Sequence, residues 1–250
     1  MGFVPFAVSK KHYMITRIIQ ETHDTKSFYL IPKDGSKVFD YKPGHFVNCT
    51  IVGKEDIGRR SFSIASSPDE KELMLTIKLV GNFTHVLFEM EEGGLIEILG
   101  PLGLPYIRDE SITDEIVMIS GGSGITPFRS LMRYYIVNNI QNPMCLILSN
   151  KTKGDIYYKE DLTEFCNKKE NLRIVHFITQ EDVGESESFC SQKINDDKFK
   201  EILIEPENKL YLLCGPPGLI TCAIEILTRM NIPMNKIKTE SWGNQNNKAK

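Results

Sequence analysis

Three segments of the chain combine residue types that could do chemistry. The first, Gly121-Gly122-Ser123-Gly124-Ile125-Thr126-Pro127, joins an apolar run to an amphipathic one. Glycines let a backbone approach an anion closely. The N-terminus of a following helix adds N–H groups without intrahelical partners and the positive end of a dipole. Pro127 stands where the dinucleotide fingerprint has its last glycine, and the lysine of a P-loop is missing. The segment therefore reads as an anion site suited to a nucleotide, or as a tight turn with no ligand. The second is Arg59-Arg60-Ser61-Phe62-Ser63-Ile64-Ala65-Ser66-Ser67-Pro68. Arginine can fork onto a phosphate, Phe62 offers a flat face, and extended backbone sends Ser61 and Ser63 to the side opposite Phe62. A sheet edge carrying a surface arginine pair is the alternative. In the third, Cys214-Gly215-Pro216-Pro217-Gly218, a thiol at a strand end could be a nucleophile, but no histidine stands beside it. His12, His23, His45, His85 and His176 show neither catalytic nor metal-ligand spacing, so cysteine-protease and zinc chemistry are set aside.

The elements that must hold these segments follow two grammars. Up to about residue 105 the chain reads as short strands punctuated by glycine and proline. Phe46-Val47 and Ile51-Val52 follow the turn Lys42-Pro43-Gly44, and Leu75–Leu79 alternates apolar with polar. Ile96, Ile98 and Leu99 form a strand between Gly93-Gly94 and Gly100-Pro101, and a short helix is expected near Thr84–Met90. This pattern predicts an antiparallel barrel or sandwich. After Asp114, Ile116–Ile119 is a continuous apolar run, as in a parallel strand covered on both faces. Thr126 is the expected N-cap of the next helix, with Pro127 at its first position. Phe128, Leu131, Met132, Tyr135 and Ile136 make its apolar stripe. Further strands are expected at Cys145–Ser149, Ile174–Thr179, Leu210–Cys214 and Ile237–Glu240, and further helices near Lys159–Lys168 and Leu219–Met230. Strands alternating with helices predict βαβ units, a parallel sheet and a site at its strand C-termini. The tail from Gly243 to Lys250 is polar and expected to fray.

The 250 residues, with 41% hydrophobic and 25% charged, exclude collagen-like and disordered classes and suffice for two modest domains. Lys plus Arg is 30 against 33 for Asp plus Glu, without the basic excess of a nucleic-acid binder. No apolar run approaches the roughly 18 residues that cross a bilayer, and the first eight residues lack the leading charge of a signal peptide. The six cysteines, Cys49, Cys145, Cys166, Cys190, Cys214 and Cys222, form no close pair. A reducing cytoplasm is expected.

In order along the chain, Arg-x-aromatic-Ser (Arg60-Ser61-Phe62-Ser63), Gly-Gly-x-Gly-Ile-Thr-Pro, Cys-Gly-Pro-Pro and the terminal Glu240-Ser241-Trp242 resemble the ferredoxin–NADP reductase family. The likeness covers nearly the whole chain. It implies a Greek-key β-barrel binding FAD over residues 1–108, followed by an α/β domain with a parallel sheet binding NAD(P)H over residues 109–250. By that resemblance Arg60 pairs with the flavin phosphate, Phe62 packs along the isoalloxazine and Ser63 bonds near N5. Ile77-Lys78-Leu79 and Gly81-Asn82-Phe83-Thr84 resemble the second flavin segment, where Thr84 and backbone amides hold the pyrophosphate. Gly121, Gly122, Ser123, Gly124 and Thr126 hold the nicotinamide nucleotide, and Gly215 and Pro216 belong to the same site. Cys214 lies beside the nicotinamide. Glu240 stands near N5, and Trp242 covers the flavin face that the nicotinamide must take. Catalytic roles thus fall to Ser63, Cys214, Glu240 and Trp242, with no metal. The absence of arginine in Thr179-Gln180-Glu181-Asp182 favours NADH, whereas Lys151 and Lys153 favour a phosphate. No four-cysteine cluster pattern is present, which implies a stand-alone reductase handing electrons to a separate ferredoxin, an oxygenase component or free flavin. A flavin reductase and a non-catalytic conducting subunit are the alternatives.

Overall fold

The computed structural model describes residues 6–107 and 114–241, so the expected domain boundary at 108/109, Trp242 and the frayed tail lie outside the described residues. The chain forms two compact units: Met1–Ser111 with Thr126–Ile140 and Tyr157–Phe165, and Ile112–Ile125 with Gln141–Ile156 and Cys166–Lys250.

The first unit holds six antiparallel strands, β1 (Ser9–Thr22), β2 (Thr25–Pro32), β3 (Phe46–Ile51), β4 (Arg59–Ser63), β5 (Leu73–Lys78) and β6 (Leu95–Leu102). Their order is β4-β3-β6-β1-β2-β5. Ile64, just past β4, bridges to Leu75 of β5, so the two edges of the sheet meet at one point and the sheet curls into a near-barrel. Tyr13, Phe28, Leu30, Val47, Leu75 and Ile98 fill its interior. Helix α1 (Asn82–Phe88) buries Phe83 and Leu87 against this core. Helix α2 (Thr126–Val137) and the start of α3 (Lys159–Lys168) group with the barrel strands.

The second unit is one parallel sheet of β7 (Glu115–Gly121), β8 (Met144–Asn150), β9 (Leu172–Ile178), β10 (Phe189–Cys190), β11 (Lys209–Gly215) and β12 (Ile237–Ser241), ordered β10-β9-β8-β7-β11-β12. Val117, Ile119, Ile147, Val175, Phe177 and Leu213 on one face pack against α4 (Asp196–Ile202) and α5 (Pro217–Arg229). The connections leaving β7 and β11 run in opposite directions along the sheet. That reversal opens a crevice at the C-terminal ends of these two neighbours, where α/β sheets bind ligands.

Three expectations change. β6 runs through Gly100-Pro101 rather than stopping there. Thr126 is not an N-cap: Gly122–Ile125 is already a 3-10 turn leading directly into α2. The long hairpin β1–β2, the two-residue β10 and α4 are additional to the sequence pattern.

One register row crosses all six parallel strands: Phe189, His176, Leu148, Ser120, Cys214 and Glu240. At its edge the His176 ring stacks on Phe189, 4.8 Å between centroids at 15°, and its Nδ1 is buried without a hydrogen-bond partner. Burial keeps this imidazole neutral, with its pKa pushed down from 6.5 to about 4. The unfolded chain takes up the proton near pH 6.5, so stability is lost as pH falls from there toward about 4, on the order of 3 kcal/mol in all. His176→Phe preserves the stack and is expected to lose less urea stability than wild type between about pH 7 and about pH 4.5. Parallel losses in the two proteins would show that the fold does not hold His176 neutral.

Candidate functional site

In the first unit, β4 presents Arg59, Arg60 and Ser61 outward and buries Ser63. Arg60 Nη1 donates to the Arg59 carbonyl at 2.8 Å, and among the described residues no carboxylate forms an ion pair with either arginine. Ser61 Oγ donates to Asn48 Oδ1 at 2.6 Å, fixing its side chain across the β3–β4 ladder. Phe62 packs on Phe83 of α1 with 5.9 Å between centroids, which gathers the arginine segment and the Gly81–Thr84 turn.

That turn is built by Thr84. Its hydroxyl accepts from the Val80 and Gly81 amides at 2.9 and 3.0 Å and donates to the Gly81 carbonyl at 2.8 Å. The side chain is thus committed to shaping the turn. The amides of Asn82, Phe83 and Thr84, at the start of α1, have no partners within the helix. Ile77 is buried, and Lys78 pairs with Asp24 at 2.9 Å while the Leu79 amide donates to the Asp24 carbonyl at 2.8 Å. Lys78 and Leu79 therefore pin the end of β5 to the β1–β2 turn. A strand bearing two guanidinium groups without carboxylate partners, an aromatic pair and a row of uncommitted amides is a donor set that fits a phosphorylated aromatic group such as FAD.

In the second unit the glycine segment sits at the end of β7, in the crevice beside β11. Gly122 has φ +53° with open space around it, and its amide donates to Asn150 Oδ1 at 3.3 Å. Gly124 is there for a different reason: a Cβ would stand 2.1 Å from the Cys214 carbonyl oxygen and 2.7 Å from Gly215 Cα. The turn therefore lies directly on the backbone of Cys214-Gly215, with Ser123 half-buried and Pro216 exposed at the start of α5. Thr126 is buried and accepts from the Tyr158 hydroxyl at 3.5 Å.

Cys214 is fully buried and lies in register between Ser120 and Glu240 on one face of the sheet. The Ser120 hydroxyl is also fully buried and has no hydrogen-bond partner. Leaving such a group unmade costs about 1–3 kcal/mol. A glycine cradle, backbone amides at a helix start and an unpaired hydroxyl beside Cys214 form a donor set that fits a dinucleotide. Glu240 is half-buried.

The structure brings Arg60–Ser63 together with Gly81–Thr84, and Gly121–Gly124 together with Cys214, Gly215 and Glu240. Ser120 and Asn150 lie against this candidate site, and motif reading misses both. Ser120 stood inside an apolar strand, and the only signal for Asn150 was its place at the end of β8.

Among known proteins, the family model described as Oxidoreductase FAD-binding domain matches residues 12–106, and that described as Oxidoreductase NAD-binding domain matches residues 118–225. The chain is 30% identical over 201 residues to sulfhydrogenase 2 subunit gamma of Pyrococcus furiosus, covering 76% of this chain and 68% of that one. It is 27% identical to a flavohemoprotein of Halalkalibacterium halodurans, over 96% of this chain and 60% of that one. The chain thus spans only three-fifths to two-thirds of the length of these relatives. The ferredoxin-NADP+ reductase of Plasmodium falciparum shares the fold, with a TM-score of 0.77, 16% identity and coverage of 93% and 96% of the two chains.

Proposed function

Because the chain belongs to the ferredoxin–NADP reductase family of FAD- and NAD-binding oxidoreductases, we propose that it is a reductase. In this reading it takes a hydride from NADH into FAD and passes the electrons to a separate protein acceptor. The observation that carries the reading is the seating of Gly124 on the Cys214-Gly215 backbone, beside the unpaired hydroxyl of Ser120. When bound, FAD supplies an N5 atom that accepts the hydride and a ring that can release electrons singly or as a pair.

The rest is done by the chain. Arg60 and the amides of Asn82–Thr84 hold the flavin's phosphates, and Phe62 lines the ring. Ser63 holds or moves the proton at N5. The turn from Gly121 to Thr126, with Gly215 and Pro216, holds the nucleotide, and Cys214 borders the nicotinamide. The binding domains are proposed as residues 1–108 and 109–250, and the cytoplasm as the compartment. No described helix is long and apolar enough to cross a membrane.

NADH is favoured over NADPH by Glu181. Its carboxylate accepts the Lys153 amide at 2.7 Å where the ends of β8 and β9 lie side by side, a position suited to accepting from a ribose hydroxyl and hostile to a phosphate. Lys153 Nζ instead lies over the Phe189 ring at 5.1 Å.

The purified protein is expected to show flavin bands that bleach anaerobically, faster with NADH than with NADPH by roughly tenfold or more, about 1.4 kcal/mol of discrimination. A protein that stays colourless after incubation with FAD overturns the reading. Faster bleaching with NADPH overturns the role of Glu181.

A further inference from the structure

Arg129, in the first turn of α2, is only 3% exposed. Its Nη1 donates to the Ala65 carbonyl at 2.8 Å, and its Nη1 and Nη2 fork onto Glu70 at 3.0 and 3.2 Å. Its Nε is hydrogen-bonded to Asp161 of α3, and its guanidinium lies over the Tyr158 ring at 5.6 Å. The neighbouring Ser130 hydroxyl donates to the Ser66 carbonyl at 2.5 Å. Two consecutive carbonyls, just beyond Ser63, are thus fixed by the helix that continues directly from the glycine turn.

The same short segment is held from other sides. Tyr41 donates to the Ser66 carbonyl at 3.1 Å, the Met74 amide to Ser66 Oγ at 3.0 Å, and the Ser67 amide to Glu70 Oε2 at 2.6 Å. Burial disfavours the Arg129 charge, but Glu70 and Asp161 outweigh it and keep the guanidinium protonated. A buried ion pair adds little net stability over apolar packing of the same shape. What a planar fork with several spent donors does supply is one fixed geometry.

We propose that Arg129 is a positioning residue that sets the place of the Ser63–Ser67 segment on α2, and through it the rate of hydride transfer rather than the affinity for either nucleotide. The rate part rests on the function proposed above; the positioning part does not.

The test uses the full chain with Arg129→Met, Arg129→Lys and the shape-preserving Glu70→Gln. Amide hydrogen exchange over residues 64–74, measured without cofactor, is expected to rise on the order of tenfold in Arg129→Met, with Arg129→Lys recovering part of the protection. In the FAD-loaded protein, the limiting rate of anaerobic bleaching by NADH is expected to fall on the order of tenfold to a hundredfold. Affinities for FAD and NADH should stay within about threefold. Glu70→Gln should shift both readouts the same way by less, and it carries the test if Arg129→Met fails to fold. Wild-type exchange and a wild-type limiting rate in a folded variant overturn the proposal, and so does an equal loss in affinity and rate. If the wild-type protein is not bleached by NADH, the function reading fails, while the exchange measurement still decides whether Arg129 fixes the segment.

Discussion

Gly124→Ala is expected to cost about 3 kcal/mol of stability and to abolish detectable NADH binding. The reason is where the new methyl group must go. It would stand 2.1 Å from the Cys214 carbonyl oxygen and 2.5 Å from its carbon, both backbone atoms of a strand bonded on both sides. A flexible side chain could swing away, whereas β11 cannot without breaking its ladders to β7 and β12. Overpacking of this kind typically costs 1–3 kcal/mol, and a rigid backbone neighbour puts it at the upper end. For a chain of this size that is a fall in Tm of roughly 6–12 °C. Gly122→Ala is the internal comparison. There the space is open, and only the left-handed φ of +53° resists, for about 1–2 kcal/mol. Thermal melts of the two variants check the order. Gly124→Ala melting at or above Gly122→Ala would show that the turn does not rest on Cys214.

Arg60→Ala is expected to weaken FAD retention by about tenfold to a hundredfold, the worth of a charge-assisted hydrogen-bond pair at about 1.5–3 kcal/mol. Its effect on the apoprotein should be small. Arg60 is exposed, bonds only to its neighbour's carbonyl and has no carboxylate partner among the described residues. Stability within about 0.5 kcal/mol of wild type is therefore expected. Arg60→Lys keeps the charge without the fork and should fall between the two. The ratio of flavin to protein absorbance after gel filtration reads this directly, and a fully yellow Arg60→Ala protein would remove Arg60 from the site.

The parallel half was legible in the sequence because its strands are buried on both faces. Ile116–Ile119 and Leu210–Cys214 are unbroken apolar runs, and their ends were placed to within two residues. The hairpin β1–β2 was not legible. β1 mixes half-buried and exposed positions along 14 residues, with register shifts near Ile15 and Gln20 that break the two-residue alternation. α4 offers only Phe199 and Ile202 to the core, too few for a stripe, although Asn195 caps it by accepting from the Lys198 amide. At the site, the motifs identified the loops but not what the loops rest on. Glycine at 124 is explained by a carbonyl 90 residues later in the chain, and a buried Arg129 is indistinguishable in the sequence from a solvated one until Glu70 and Asp161 are seen around it.

The interleaving of the two units also has a consequence during synthesis. Glu70 finds Arg129 59 residues further on, Thr25 finds the Tyr157 hydroxyl 132 residues further on, and Glu21 accepts the Tyr158 amide 137 residues further on. The six barrel strands are all synthesised by residue 102, yet the first unit is completed only at Phe165. At roughly 5–20 residues per second, Glu70 waits about 3–12 seconds for its arginine, longer than the milliseconds to seconds in which β-rich domains fold. The nascent barrel therefore spends that interval with the Ala65 and Ser66 carbonyls lacking the donors that Arg129 and Ser130 later bring.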